Sequence, residues 1–302
     1  MKPKIISTLF FILITFILWT ACEKIDQPLK IVDQKDFPVN PDDTLYFVDS
    51  IIVDLKQVLL EDFTGQRCVN CPKASKLLHE ISDFYYPRLV SYTVHAGIFA
   101  EPVPGTVFGT DLRCPLSEKL YFDFGIFATP MGQIDRVLFN GLRQIFTTNW
   151  QSVVDQQMQI PNVVNLKLKN TYYPKHNSVI VDVEADFISD LEGQYNLVVY
   201  IVEDGIVTAH LNNDPTIGPD TLYNFIHHNV LRGPINSAYG DPINSSGNIT
   251  AGLKFAKQYT FPINPNWVAE NCNIIAYIGK KDPVLNLVDI IQAAELKIKT
   301  EQ

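Results

Sequence analysis

The short segment Cys68-Val-Asn-Cys71-Pro72 constrains the fold more than any other part of this sequence. The mostly apolar run before it, residues 58–63, predicts a short strand, and residues 64–67 predict a turn. Pro72 predicts the first turn of a helix, where its missing N–H has no partner to lose. We therefore expect two cysteine sulfurs one helical turn apart, where a strand leads into a helix.

The position of the cysteines favours thiol chemistry. Free N–H groups and the helix dipole stabilise a thiolate at Cys68, and Arg67 adds a neighbouring cation. Cys68 is then the attacking thiol and Cys71 the thiol that resolves a mixed disulfide, which requires the pair to face solvent. Two alternatives stay open, a static disulfide that shapes the turn and a zinc site, although zinc usually needs a second ligand pair that the sequence lacks.

The N-terminus predicts export and a lipid anchor. Residues 1–21 contain Lys2, Lys4 and an apolar block at 9–19, which are typical of a secretory signal. The residues up to Cys22 resemble a bacterial lipobox, so we expect Cys22 to be acylated and to hold the protein on a membrane. An uncleaved membrane anchor is the alternative, but the apolar block is shorter than a bilayer span requires.

Composition limits the classes of partner that the protein can bind and indicates the compartment in which it folds. Residues 22–44 contain three prolines without periodicity and predict a tether. Without Lys2 and Lys4 the net charge falls from −9 to about −11, which argues against a nucleic-acid partner. Besides Cys22, four cysteines remain, an even number that suits an oxidising compartment. Cys114 and Cys272 could form a bridge or stay as buried thiols.

The segment after the first helix predicts a β-α-β unit. Residues 89–95 are rich in β-branched and aromatic residues and predict a second strand parallel to the first. His95 ends this strand, where it either faces the site or has a structural role. Residues 98–113 form a long aperiodic insertion, which is typical of a lid or a binding surface. A helix from residue 114, a hairpin at 140–141 and another helix follow.

The order of elements over residues 45–160 resembles the thioredoxin-like fold. That resemblance implies that Cys68 and Cys71 occupy the redox position and that Thr129-Pro130 is a cis-proline bond facing them. The stretch LLEDFTGQRCVNCPKA and the later Thr-Pro-Met-Gly-Gln-Ile-Asp-Arg resemble the outer-membrane lipoprotein family of Bacteroidetes related to the twenty-eight-kilodalton outer-membrane protein. The resemblance implies a lipoprotein signal, a thioredoxin-like domain and a β-rich C-terminal domain.

The cysteine motif departs from that of ordinary thioredoxins. Arg67 stands where a tryptophan is expected, and Val69-Asn70 replaces Gly-Pro. Redox activity depends on how well the thiolate is stabilised, so these departures leave a catalytic role and a binding role both open.

Residues 161–302 predict an all-β domain. Runs that alternate apolar with polar residues, separated by turns, suggest an antiparallel sandwich of the immunoglobulin-like kind. Residues 204–257 form an excursion that contains His210, His227 and His228. Neighbouring side chains on a regular element point apart, so we expect loop anchors here, with no metal site and no cofactor.

These patterns predict an α/β thioredoxin-like domain followed by an immunoglobulin-like sandwich, anchored in the outer membrane through Cys22. The expected function is binding of an unidentified envelope protein or ligand on the thioredoxin-like scaffold. The alternative is a thiol-disulfide oxidoreductase that uses Cys68 and Cys71 with Pro130 and Arg67. A structural role beside an outer-membrane assembly is the third hypothesis.

Overall fold

The computed structural model describes residues 46–49, 54–245 and 247–298. The predicted signal peptide at 1–21, the predicted lipidation site Cys22 and the predicted tether at 22–44 lie outside the described residues. Within them the chain is mostly β-structure, with one large mixed sheet and one antiparallel sheet. None of the helices in these ranges is both long enough and apolar enough to cross a bilayer.

Three α-helices lie in the first half of the described chain. They are α1 (Cys71–Tyr85), α2 (Pro115–Asp123) and α3 (Trp150–Met158). The prolines predict the start of α1 and α2 to within one residue. Cys114 caps α2, because its sulfur accepts a hydrogen bond from the backbone N–H of Ser117 at 3.4 Å.

The strands are numbered along the described chain. They are β1 (Tyr46–Asp49), β2 (Val58–Thr64), β3 (Leu89–His95), β4 (Met131–Ile134), β5 (Val164–Tyr173), β6 (Ser178–Phe187), β7 (Leu191–Glu192), β8 (Tyr195–Glu203), β9 (Ile206–Leu211), β10 (Thr221–His227), β11 (Val230–Pro234), β12 (Asp241–Pro242), β13 (Asn248–Ile249), β14 (Lys254–Pro262), β15 (Cys272–Asp282) and β16 (Asn286–Lys297).

The large sheet has the order β16-β15-β8-β11-β3-β2-β4, with β12 paired to β8. Its β2 and β3 are parallel and joined by α1, which confirms the β-α-β prediction, and β4 is antiparallel to β2. Next to β3 lies β11, parallel to it where Val230 pairs with Thr93. The predicted domain boundary between residues 160 and 161 therefore divides strands that share one continuous sheet.

The smaller sheet covers part of one face of the large sheet. Its order is β1-β5-β6-β14, and all its pairings are antiparallel. Alternate residues of β5 are buried, as expected for a sheet with one face in the core. On β8, Leu197 and Val199 belong to the core beneath this sheet, whereas Val198 and Tyr200 belong to the core on the opposite face. Because both faces are covered, every residue of β8 is buried.

Two buried ion pairs fix the end of β4. Asp135 and Arg136 both have positive φ angles, 44° and 49°, which non-glycine residues rarely adopt. Asp135 pairs with Lys56 at 2.7 Å, and Arg136 pairs with Glu61 at 2.7 Å. These bonds offset the backbone strain. The Ile-Asp-Arg sequence therefore holds β4 against β2. It also holds in place residues 128–130 before β4, which we call the proline segment.

Candidate functional site

The cysteine pair is a disulfide in the interior of the protein. Cys68 and Cys71 are bonded, with their Cα atoms 5.4 Å apart, at the start of α1. Their exposed fractions are 3% and 1%. The expectation that the sulfurs face solvent is therefore wrong, because two later segments of the chain cover the cysteine turn, residues 65–70.

The first covering segment is the predicted insertion at 98–113. The backbone N–H of Arg67 donates to the carbonyl of Phe99 at 3.0 Å, and its guanidinium donates to the carbonyl of Ile98. A Cβ atom on Gly65 would lie only 2.5 Å from the carbonyl carbon of Phe99. The hydrogen bonds of Arg67 thus hold the insertion against the cysteine turn. Glycine at position 65 permits the close approach of the Phe99 backbone to this turn.

The second covering segment is the β9–β10 hairpin with its loop at 212–220. The backbone N–H of Leu211 donates to the carbonyl of Gln66 at 2.8 Å, and that of Asn213 donates to the carbonyl of Val69 at 3.1 Å. The side chain of Asn213 also donates to Oδ1 of Asn70 at 2.7 Å. Sequence reasoning could not find this cover, because more than a hundred residues separate the hairpin from the cysteines.

A buried carboxyl group lies behind the disulfide. Asp62 on β2 is 1% exposed, and its Oδ1 has no hydrogen-bond partner among the described residues. Burial raises the pKa of the Asp62 carboxyl to about 7. Asp62 and Cys71 line one small internal cavity of about 10 Å³. The sequence signal was present, because the adjacent acidic residues Glu61 and Asp62 inside a mostly apolar strand need a reason to be buried.

Four histidines line the same cavity, and three of them, His95, His210 and His227, are buried. Nε2 of His95 lies 3.2 Å from Nδ1 of His227, and the ring of His210 stacks beside His227 with centroids 5.5 Å apart. Burial lowers the pKa of His95 to about 3 and that of His210 to about 4, and it also lowers the pKa of His227. All three are therefore neutral near pH 7.

Adjacent His227 and His228 point to different environments, as predicted. His227 is 3% exposed, whereas the side chain of His228 is 34% exposed and pairs with Asp204 at 2.9 Å. In the part of the chain that the structure describes, no group of three or more His, Cys, Asp or Glu side chains is arranged to hold a metal ion.

An open groove of about 640 Å³ lies beside the cysteine turn, between α1 and the segment before β4. We call it the Pro130 groove. The Thr129–Pro130 bond is cis, as the resemblance implies. The groove is lined by Asn70, Lys73, Ala74, Lys76, Leu77, Glu80, Ala128, Thr129, Pro130, Phe146, Thr147, Thr148, Asp214, Thr216 and Ile217. Pro130 and the start of α1 thus share one surface, although the sulfurs themselves do not line it.

Aromatic and paired polar groups set the chemistry of the Pro130 groove. Phe146 lines it, and the neighbouring Phe127 meets the ring of Phe146 edge-on at 6.3 Å. These two rings are 51% and 61% exposed. The charged side chains are paired, since Lys73 contacts Asp214 at 3.2 Å and Lys76 contacts Glu80 at 4.0 Å. The two lysines and the two carboxylates therefore balance in charge beside the apolar surface of the groove.

The remaining cysteines are not bridged. Cys114 and Cys272 are both free thiols, so the alternative of a disulfide between them is wrong. Cys114 caps α2, and Cys272 is fully buried at the start of β15. Burial raises the pKa of both thiols, which makes them poor nucleophiles.

Two known structures share the fold. HBP35 of Porphyromonas gingivalis matches with a TM-score of 0.60 and 17% identity, over 83% of this chain and 79% of that one. Protein AGR_C_4864 from Agrobacterium tumefaciens matches with a TM-score of 0.52 and 12% identity, over 83% of this chain and 98% of that one. At these identities the likeness concerns the fold alone.

The sequence comparisons identify the family. No curated protein matches the chain at a significant level. The family model described as outer membrane protein Omp28 matches residues 117–302, which is more than half of the chain. The chain therefore belongs to the Omp28 outer membrane protein family.

Proposed function

We propose that this protein is a lipid-anchored outer-membrane lipoprotein whose thioredoxin-like scaffold binds an extended segment of another envelope protein in the Pro130 groove. The observation that carries the proposal is the contrast between two neighbouring features. The disulfide is covered on both sides by hydrogen-bonded segments, whereas the groove next to it is open. A partner can reach the groove without moving any segment that covers the sulfurs.

The proline segment offers unpaired backbone groups to such a partner. Among the described residues, no backbone hydrogen bond joins Ala128 or Thr129 to another segment. Backbone groups at a sheet edge commonly bind a peptide by strand addition, in which the main chain supplies affinity and side-chain pockets supply selectivity.

The groove surface indicates the composition of the bound segment. Phe127 and Phe146 offer exposed ring faces, and the lysines are already paired with carboxylates. Burying these ion pairs under a charged ligand would cost desolvation without adding a new partner. The segment should therefore carry apolar or aromatic side chains flanking a backbone in the extended conformation.

The test is selection of a randomised peptide library on the full chain in detergent micelles. Enriched peptides should share apolar positions and should bind Phe146→Ala more weakly, because the exposed ring that packs against them is lost. Loss of one aromatic contact corresponds to about 1 kcal/mol, or about fivefold in affinity. Phe84→Ala is the control, because Phe84 is 75% exposed and does not line the groove. No enrichment, or equal binding to Phe146→Ala and Phe84→Ala, would contradict the proposal.

Thiol-disulfide exchange is the second candidate, and one observation favours it. The carboxyl of Asp62, with its pKa near 7, lines the cavity that Cys71 also lines. A carboxyl group that titrates near neutral pH can give a proton to a leaving thiolate and take it back. Exchange first requires the hairpin loop at 212–220 to open, because both sulfurs are buried beneath it. The test is reduction of insulin by dithiothreitol, which the full chain should accelerate and Cys68→Ser should not. A wild-type chain that leaves the rate unchanged would rule out this candidate.

The lipid anchor is tested separately. Acylation of Cys22 should retain the protein in the outer-membrane fraction, and Cys22→Ala should release it. Retention of the variant in that fraction would contradict the anchor without affecting the groove.

A further inference from the structure

His95 and His227 form a pair that can conduct a proton. Both rings are neutral near pH 7, so the contact between Nε2 of His95 and Nδ1 of His227 at 3.2 Å needs one donor and one acceptor. Each neutral ring carries one proton. If Nε2 of His95 donates, the outer Nδ1 of His95 is an acceptor and the outer Nε2 of His227 is a donor. If Nδ1 of His227 donates, these two outer roles are reversed. Shifting the bridging proton exchanges these roles, so a proton can enter at one end and leave at the other without a net charge.

The outer nitrogens of the pair are both buried and without a partner among the described residues. The same is true of Oδ1 of Asp62, which lines the same cavity. His95, His227, Asp62 and Cys71 line one cavity of about 10 Å³. The residues that carry these three unpartnered atoms therefore surround one small space.

The other side of the cavity leads towards solvent. Ser75 and His228 line both this cavity and a second groove of about 510 Å³ on the outer side of α1. Nδ1 of His228 is held by Oδ1 of Asp204 at 2.9 Å, which leaves its Nε2 available for exchange. His228 is therefore the group through which the cavity meets bulk water.

The other charged groups near the pair are already engaged. Arg232 binds Glu203 at 2.7 Å, and Asp111 binds Arg113 at 3.0 Å. Of these, Arg232 on β11 and Asp111 in the insertion are the charged groups whose electrostatic interactions shift the pKa of His95. His210 donates its Nδ1 proton to the carbonyl of Leu211 at 2.7 Å, so this nitrogen cannot exchange protons with the pair.

We propose that His95 and His227 form a proton relay between solvent at His228 and the cavity shared by Asp62 and Cys71. The proposal rests on the second candidate function, thiol-disulfide exchange. When the loop at 212–220 opens, a thiolate of a dithiol reductant attacks Sγ of Cys68, the disulfide bond breaks, and its electron pair leaves on Sγ of Cys71. The Asp62 carboxyl protonates that thiolate, and the relay returns a proton to Asp62. The second thiol of the reductant then loses its proton to solvent and displaces Cys68, leaving the reductant oxidised.

The direct test is proton exchange at Asp62 in the full chain, followed by infrared spectroscopy after a pH jump upward through about pH 7, where its carboxyl titrates. Asp62→Asn identifies the band of the protonated carboxyl. Loss of that band should be slower in His95→Gln and His227→Gln by roughly a hundredfold, the low end for a positioned proton-transfer group. The final amplitude should not change. His176→Gln is the matched control, because His176 is exposed and does not line the cavity, and it should behave as wild type.

The outcomes separate the relay from the function on which it rests. Wild-type rates of band loss in both His95→Gln and His227→Gln would overturn the relay, whatever the redox activity. If the wild-type chain reduces insulin and His227→Gln turns over equally fast at every pH, the relay is also overturned. A wild-type chain without that activity would end the exchange hypothesis alone. Should the variants not fold, nitrogen NMR of the wild type decides, since protons on both bridging nitrogens, or on neither, would contradict the relay.

Discussion

Asn213 and Asn70 are joined side chain to side chain, with Nδ2 of Asn213 donating to Oδ1 of Asn70 at 2.7 Å across 143 positions of sequence. The backbone N–H of Asn213 also donates to Val69 at 3.1 Å. Asn70 lies within the cysteine motif and also lines the Pro130 groove. The loop of the β9–β10 hairpin therefore covers the disulfide and forms one wall of the groove.

We expect Asn213→Ala to make the disulfide easier to reduce. Losing this hydrogen bond should favour local opening of the hairpin loop by about 1 kcal/mol, so that reduction by dithiothreitol becomes about fivefold faster. The rate can be followed by alkylation of the released thiols and mass spectrometry. Asn266→Ala, on an exposed loop elsewhere, is the control. Equal rates of disulfide reduction in both variants would show that the Asn213 hydrogen bond does not limit access to the sulfurs.

Gly65→Ala should disturb the other cover. Its Cβ would lie 2.5 Å from the carbonyl carbon of Phe99, and this backbone atom cannot rotate away as a side chain could. We expect a loss of about 1 to 3 kcal/mol in the free energy of unfolding, typical of overpacking, together with faster reduction of the disulfide. Gly247→Ala has no neighbouring atom within 4 Å and should change neither quantity. Urea unfolding measures the difference, and an unchanged Gly65→Ala variant would disprove the close contact.

Local sequence patterns predicted the elements around the cysteines well. The apolar run before Thr64 gives β2, Pro72 gives the start of α1, and the β-branched residues before His95 give β3. Each of these signals lies within a few residues of the element that it specifies.

Long-range pairing accounts for what sequence reasoning missed. The contact between Val230 and Thr93 continues the large sheet into the second half of the chain, and no local pattern encodes it. The same holds for the hairpin that buries Cys68. Asp62 and His227 became candidate site residues only when the fold brought both to one cavity.

Arg136→Met should strongly destabilise the fold. The guanidinium makes two hydrogen bonds to Glu61, both at 2.7 Å, and one to the hydroxyl of Tyr277 at 3.0 Å, all in the interior. Removing it leaves an unpaired carboxylate in the core, which costs about 3 to 5 kcal/mol. Replacing both partners, as in Glu61→Leu with Arg136→Met, should recover much of that loss. Urea unfolding tests both, and a double variant no more stable than the single one would contradict this explanation.

Asp62→Asn should change how stability depends on pH. The ordinary pKa of an aspartate is 3.8, whereas that of Asp62 in the fold is about 7. Between these values the folded chain holds a proton that the unfolded chain has released, so this group's contribution to stability is lost as pH rises from about 4 to about 7. The stability of the variant relative to wild type should therefore rise across that window and level off above it.

A series of urea titrations across this pH range measures the effect. The lowered pKa values of His95 and His210 act in the opposite direction, but both histidines remain in the variant and their effects cancel in the difference. A difference that stays constant with pH would mean that Asp62 titrates normally.

The most direct measurement of the central claim compares the affinity of one selected peptide for two variants of the full chain. The first, Cys68→Ser with Cys71→Ser, lacks both sulfurs, and the second, Phe146→Ala, lacks the ring in the Pro130 groove. If the groove is the binding site, isothermal titration calorimetry will show affinity close to wild type for the first and a loss for the second. Affinity lost with the sulfurs but kept without the ring would contradict the account and point to the disulfide as the site.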